Sequence, residues 1–175
     1  MTIATGTTAS MTTSASAPWL DASVPVHAQR IVRRALVDVG LLEMPPGSNR
    51  SPRIDAYLRA VGSPIGSSWC AAAVAAWWRD AGVPVPTADA GRCAAWEAWA
   101  RRTDAWRDAP SVGSAVIYGA GDIAVHMGVV VRLGPVLLSV EGNTTLTGFG
   151  VNGAAVALKA VALDRVRGYV LPRAG

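Results

Sequence analysis

Two Cys and two His in 175 residues leave little material for a metal or disulfide framework. Cys70, Cys93, His27 and His126 lack the paired spacing of a structural zinc site, and a single possible Cys pair is no disulfide scaffold. Lysine is almost missing: fifteen of the sixteen basic residues are Arg. No run of Lys or Arg exceeds two, so the net charge of +4 builds no basic arm or stripe and argues against nucleic acid as a partner. A basic surface of this kind suits an anionic polymer equally well. No apolar run approaches a membrane span, because the longest, over 128–140, is broken by Arg132, Gly134 and Pro135.

What is present points to a folded chain. It is 51% hydrophobic and 16% charged, and its length fits one domain. Residues 1–20 are rich in Ala, Thr and Ser, without the basic n-region and long apolar h-region of a secretory signal. They are expected to form a disordered tail ahead of a domain over 21–175. With no Sec signal visible, the expectation is cytoplasmic synthesis, and release or export by another route.

The first half has helical periodicity. Over 27–42, Ile31, Ala35, Val39 and Leu42 fall on one stripe. A short helix follows over 55–61, then an apolar helix over 69–81 with Ser67 and Ser68 as N-caps, then a fourth over 92–102. From Ser114 the period becomes two, and strands are expected over 114–118, 125–132, 136–141, 155–163 and 166–171. Helices first and strands afterwards make this an α+β chain, with N-terminal helices packed on a C-terminal antiparallel sheet.

The central hairpin allows a register to be derived. Matching its apolar faces pairs residue 127 with 140, 129 with 138 and 131 with 136, which sets His126 opposite Glu141. A carboxylate there can orient an imidazole. Cys70 opens the apolar helix, where unpaired N–H groups and the helix dipole favour a thiolate and can stabilise an oxyanion. Together these residues form a Cys–His–carboxylate set suited to acyl transfer. Each has a plainer reading too. Cys70, among Trp69, Ala71, Ala72 and Ala73, also reads as a small buried hydrophobe, and the His126–Glu141 pair as a structural one. Cys93, on an Ala/Trp-rich helix, reads only as a buried hydrophobe, and His27 as a surface residue. The Trp set is expected mostly in the core; Trp69, beside Cys70, is the one expected to line a substrate groove.

Four blocks carry a family resemblance: GSNRSPRIDAYLRAVGSPIGSSWCAAAVAAW over 47–77, HMGVVV over 126–131, VEGNT over 140–144 and VRGYVLPR over 166–173. In order and wording they resemble a CHAP domain, a cysteine- and histidine-dependent amidohydrolase/peptidase of the papain-like superfamily, whose members cut peptidoglycan. The resemblance implies a papain-like fold, with Cys70 as nucleophile, His126 as general base and Glu141 as its orienter. It also implies Asn143 as an auxiliary or substitute orienter, and Tyr57 as a helper at the oxyanion. Bacterial peptidoglycan is the implied partner of a monomeric, bacteriolytic, endolysin-like enzyme that needs no cofactor or metal. Where similar proteins carry Pro-Gly-Asp before the first strand, this chain has Val112-Gly113-Ser114.

Other readings remain open at this point. A protein-directed cysteine protease could use the same fold, and so could a non-catalytic phage or cell-wall module. GFGVNG over 148–153 matches the dinucleotide fingerprint in form, but turn glycines between strands account for it better.

Overall fold

Helix α1, Val26–Val37, forms because Ala28, Ile31, Val32 and Ala35 repeat at helical spacing and are all buried. The computed structural model describes residues 20, 22–148, 150 and 152–174. The expected tail lies outside the described residues except for Leu20, which is half-buried against the core, and residues 149 and 151 of the GFGVNG stretch lie outside them too. The stripe expected to run on to Leu42 stops early. Gly40 (φ +92°) turns the chain, its N–H bonds Val156 O, and Val39 and Leu42 are left 41% and 50% exposed. Leu42 makes an isolated bridge to Ala155 instead.

Helix α2, Pro52–Ala60, starts at Ser51, whose side chain accepts from the Ile54 N–H at 3.2 Å, with Pro at its first position. Helix α3, Cys70–Asp80, is buried nearly all round and packs against α1, α2 and two strands. Ser67 and Ser68 do not cap it: its N-cap is Trp69, whose side chain makes no capping bond. Helix α4 is Cys93–Arg102.

The second half is one six-stranded antiparallel sheet in the order β1-β6-β2-β3-β4-β5. Its strands are β1 (Trp106–Arg107), β2 (Ala115–Ala120), β3 (Ile123–Arg132), β4 (Leu138–Thr144), β5 (Ala155–Ala160) and β6 (Val166–Val170). The short β1 has no alternating pattern of its own and was not expected; it exists as an edge on β6. Ile117, Met127, Val129, Val131 and Val140 join the helices in the main core, while Val116, Tyr118, Val130 and Tyr169 form a smaller cluster. The chain is α+β, with its helices packed against an antiparallel sheet. Among the described residues no helix is long and apolar enough to cross a membrane.

The central hairpin differs from its expected register by two residues. Gly128 pairs with Glu141, Val129 with Val140 and Val130 with Ser139. A bulge at Val131 and a connection over 133–137 replace the tight turn. A slide of two preserves the side-chain parity, so the apolar faces still coincide.

Candidate active site

Four elements meet at Cys70. It is the first residue of α3, and Gly142 on β4 lets the start of that helix come close to the sheet. A Cβ on Gly142 would lie 2.7 Å from Trp69 Cζ3 and 3.0 Å from Ala73 Cβ. The Cys70 Sγ lies 3.7 Å from the Sγ of Cys93, the first residue of α4. Both cysteines are buried, with 4% and 8% of their residue surface exposed. From β3, the fully buried His126 bears electrostatically on Cys70.

Glu141 holds the far side of the imidazole, with His126 Nε2 3.1 Å from Glu141 Oε2. The carboxylate is itself fixed: Tyr118 Oη donates to Oε1 at 2.6 Å and Ser139 Oγ donates to the same oxygen at 2.8 Å. Tyr118, paired with His126 across β2 and β3, also stacks on the imidazole with centroids 5.7 Å apart. With Nε2 committed to Glu141, Nδ1 is the ring nitrogen left to serve the thiol.

These contacts set the charges. The hydrogen bond from Cys93 does most to hold the Cys70 thiol well below its ordinary range; burial opposes it, and His126 and the Ala71 N–H assist. Cys93 moves the other way, raised first by its bond to Cys70 and then by burial. Burial alone would lower His126, but its bonds to Cys70 and Glu141 outweigh that and raise it to about 9. Glu141 lies below the usual carboxylate value: burial pushes it up, and hydrogen bonds from His126, Tyr118 and Ser139 more than offset this. These shifts favour a thiolate beside an imidazolium, backed by a carboxylate, at a helix start whose N-cap residue, Trp69, makes no side-chain capping bond. Such a set is equipped for nucleophilic attack on a carbonyl and for proton delivery to its leaving group.

The other expected site residues lie elsewhere. Asn143 is not brought to His126; its Nδ2 donates to Asn49 Oδ1 at 2.8 Å. Asn49 N in turn donates to Glu43 Oε2 at 2.9 Å, and Trp69 Nε1 donates to Glu43 Oε1 at 3.0 Å. This chain ties β4 to the residue before Cys70, so Asn143 braces the helix start. Trp69 is fully buried and lines no groove, since its indole is packed on Gly142 and bonded to Glu43. Tyr57 donates its hydroxyl proton to Asp38, which also accepts from Trp77 Nε1 at 2.7 Å. Tyr57 is thereby committed to Asp38, whose partner Trp77 lies seven residues along α3 from Cys70.

Sequence reasoning missed Cys93, Tyr118 and Ser139. Cys93 had the same address as Cys70, a helix start, and that shared address was the available sign. Two depressions are lined by sequence neighbours of the site residues. One, of about 330 Å³, is lined by Ser67, Ser68, Asp89, Gly91 and Arg92, just ahead of both cysteines. The other, of about 400 Å³, is lined by Ala94, Glu97, Arg101, Asp122, Ala124 and Arg167. Compared with known proteins, the chain matches no family model, no curated protein and no solved structure.

Proposed function

We propose that this chain is a thiol hydrolase of the CHAP type that opens an amide bond in bacterial peptidoglycan, as an amidase or endopeptidase. The observation that carries the reaction class is the arrangement at one point of Cys70 on a helix start, His126 on a strand and Glu141 behind His126 Nε2. The substrate class rests on the resemblance of the four sequence blocks, and the net charge of +4 is compatible with an anionic polymer.

The Cys70 thiolate attacks the amide carbonyl carbon, and the oxyanion that forms is met by N–H groups at the start of α3. His126 passes its Nδ1 proton to the leaving amine as the C–N bond breaks, leaving Cys70 acylated. The neutral imidazole then takes a proton from water, the hydroxide attacks the thioester, and Cys70 leaves as thiolate. Glu141 keeps the ring oriented throughout and stabilises its charged form. None of these steps calls on a metal or organic cofactor.

The test compares wild type with Cys70→Ala on purified peptidoglycan, with mass spectrometry of released fragments and casein as a parallel substrate. Wild type should create new amine and carboxyl termini in peptidoglycan, and their position names the bond. Folded Cys70→Ala should create none. Undiminished cleavage by that variant removes the mechanism, and cleavage of casein alone replaces the substrate.

A further inference from the structure

Hydrolysis as described uses one thiol, yet the chain's only two cysteines are brought together from 23 residues apart, Sγ to Sγ 3.7 Å. Each is the first residue of its helix, and both remain slightly accessible to solvent. A disulfide has an S–S distance of about 2.05 Å, so the sulfurs need to approach by roughly 1.7 Å. At this separation no residue lies between the two sulfurs, and the imidazole of His126 acts on Cys70.

We propose that Cys70 and Cys93 form a reversible two-electron redox site, oxidised to a disulfide by a hydroperoxide and reset by a small dithiol. Cys70 is the attacking sulfur because it is held as thiolate, whereas Cys93 keeps its proton and resolves. The Cys70 thiolate attacks the terminal oxygen of the hydroperoxide; the O–O bond breaks, and the departing alkoxide takes the His126 proton and leaves as an alcohol. The Cys93 sulfur then attacks the Cys70 sulfenic acid. The S–O bond breaks, and hydroxide leaves as water with the proton from Cys93. Two sulfurs are oxidised and one hydroperoxide is reduced, giving a disulfide, an alcohol (water, from hydrogen peroxide) and water. The disulfide ties the first turns of α3 and α4 together and takes away the thiolate. Silencing of hydrolysis by this bond rests on the function proposed above; formation of the bond does not.

The experiment treats the full chain with one equivalent of hydrogen peroxide and reads intact mass, non-reduced peptide maps and iodoacetamide labelling. The expected result is loss of two hydrogens, a Cys70–Cys93 linked peptide pair within one chain, no remaining free thiol, and full recovery with dithiothreitol. Cys93→Ser and Cys93→Ala, checked for folding by circular dichroism, should instead stop at a Cys70 sulfenic acid that dimedone traps. Uptake of oxygen at Cys70 in wild type without the cross-link, or links only between chains, overturns the proposal. Peptidoglycan cleavage measured on the same samples separates the two readings. A reversible disulfide in a chain that never cleaves when reduced removes the hydrolase and leaves the redox site. Cleavage by the fully cross-linked chain removes Cys70 as the nucleophile.

Discussion

Gly128 stands directly opposite Glu141 across β3 and β4, and the Glu141 side chain fills the space that a Cβ on Gly128 would need: Glu141 Cγ lies 2.6 Å from that position. The carboxylate therefore leans along the sheet to His126, two residues earlier on the same face, and meets Nε2 at 3.1 Å. A diagonal neighbour is within reach of aromatic and long side chains when nothing fills the space between them. The missing side chain at position 128 makes the contact possible.

Gly128→Ala tests this relationship. The new methyl would also sit 2.7 Å from Val140 O, a backbone atom that cannot swing aside. The strands must part or Glu141 must leave its position, at a cost of about 1–3 kcal/mol for an overpacked site. Urea denaturation should show that loss, and turnover on peptidoglycan should fall with it. A variant as stable and active as wild type would mean that Glu141 reaches His126 without the gap.

The same relationship shows what the sequence could and could not convey. Alternation of Met127, Val129 and Val131 against Val140 established which residues share a face, and that parity survived a register error of two. The absolute register depended on the Val131 bulge and on the space at Gly128, neither of which alters an apolar pattern. The helix carrying Cys70 was legible because its apolar run is long. Cys93 was not, since its meeting with Cys70 depends on how α3 and α4 approach, a property of packing rather than of either segment. Trp69 and Tyr57 misled for a related reason. Proximity in sequence to Cys70 says nothing about which way a ring turns, and Glu43 and Asp38 draw these two into the interior.

Trp69→Phe separates a groove residue from a core residue. The substitution keeps an aromatic ring against Gly142 but removes the indole N–H from the buried Glu43 carboxylate. Leaving that acceptor short should cost about 1–3 kcal/mol of stability. Because the ring is fully buried, KM for the proposed peptidoglycan substrate should stay at the wild-type value. A raised KM with unchanged stability would return Trp69 to the groove.

Tyr118→Phe tests how Glu141 is kept ionised. Its folded value is depressed, so the group contributes stability that is present above the ordinary carboxylate pKa and lost as pH falls through the folded one. Removing the hydroxyl at 2.6 Å takes away one donor and moves the folded value up. At neutral pH the variant should be less stable by about 1.5–3 kcal/mol, as for a hydrogen bond to a charged group. The deficit should shrink in acid, where Glu141 is protonated. Denaturation midpoints followed from neutral to acidic pH decide it, and a deficit that does not change with pH would make the bond merely structural.

The pH dependence of hydrolysis should report the pair itself. In the proposed hydrolase the active form combines a Cys70 thiolate with a protonated His126, so the rate should fall in acid as the thiol regains its proton, below the ordinary thiol range. It falls again in alkali as His126 loses its proton at about 9. Glu141 is one of the groups that raise His126, against the effect of burial. Glu141→Gln keeps the shape and removes the charge, so His126 must titrate lower and the alkaline limb of kcat/KM must move to lower pH. An alkaline limb that stays in place in Glu141→Gln, with cleavage intact, would assign the orientation of His126 to another group and leave Glu141 a bystander in the sheet.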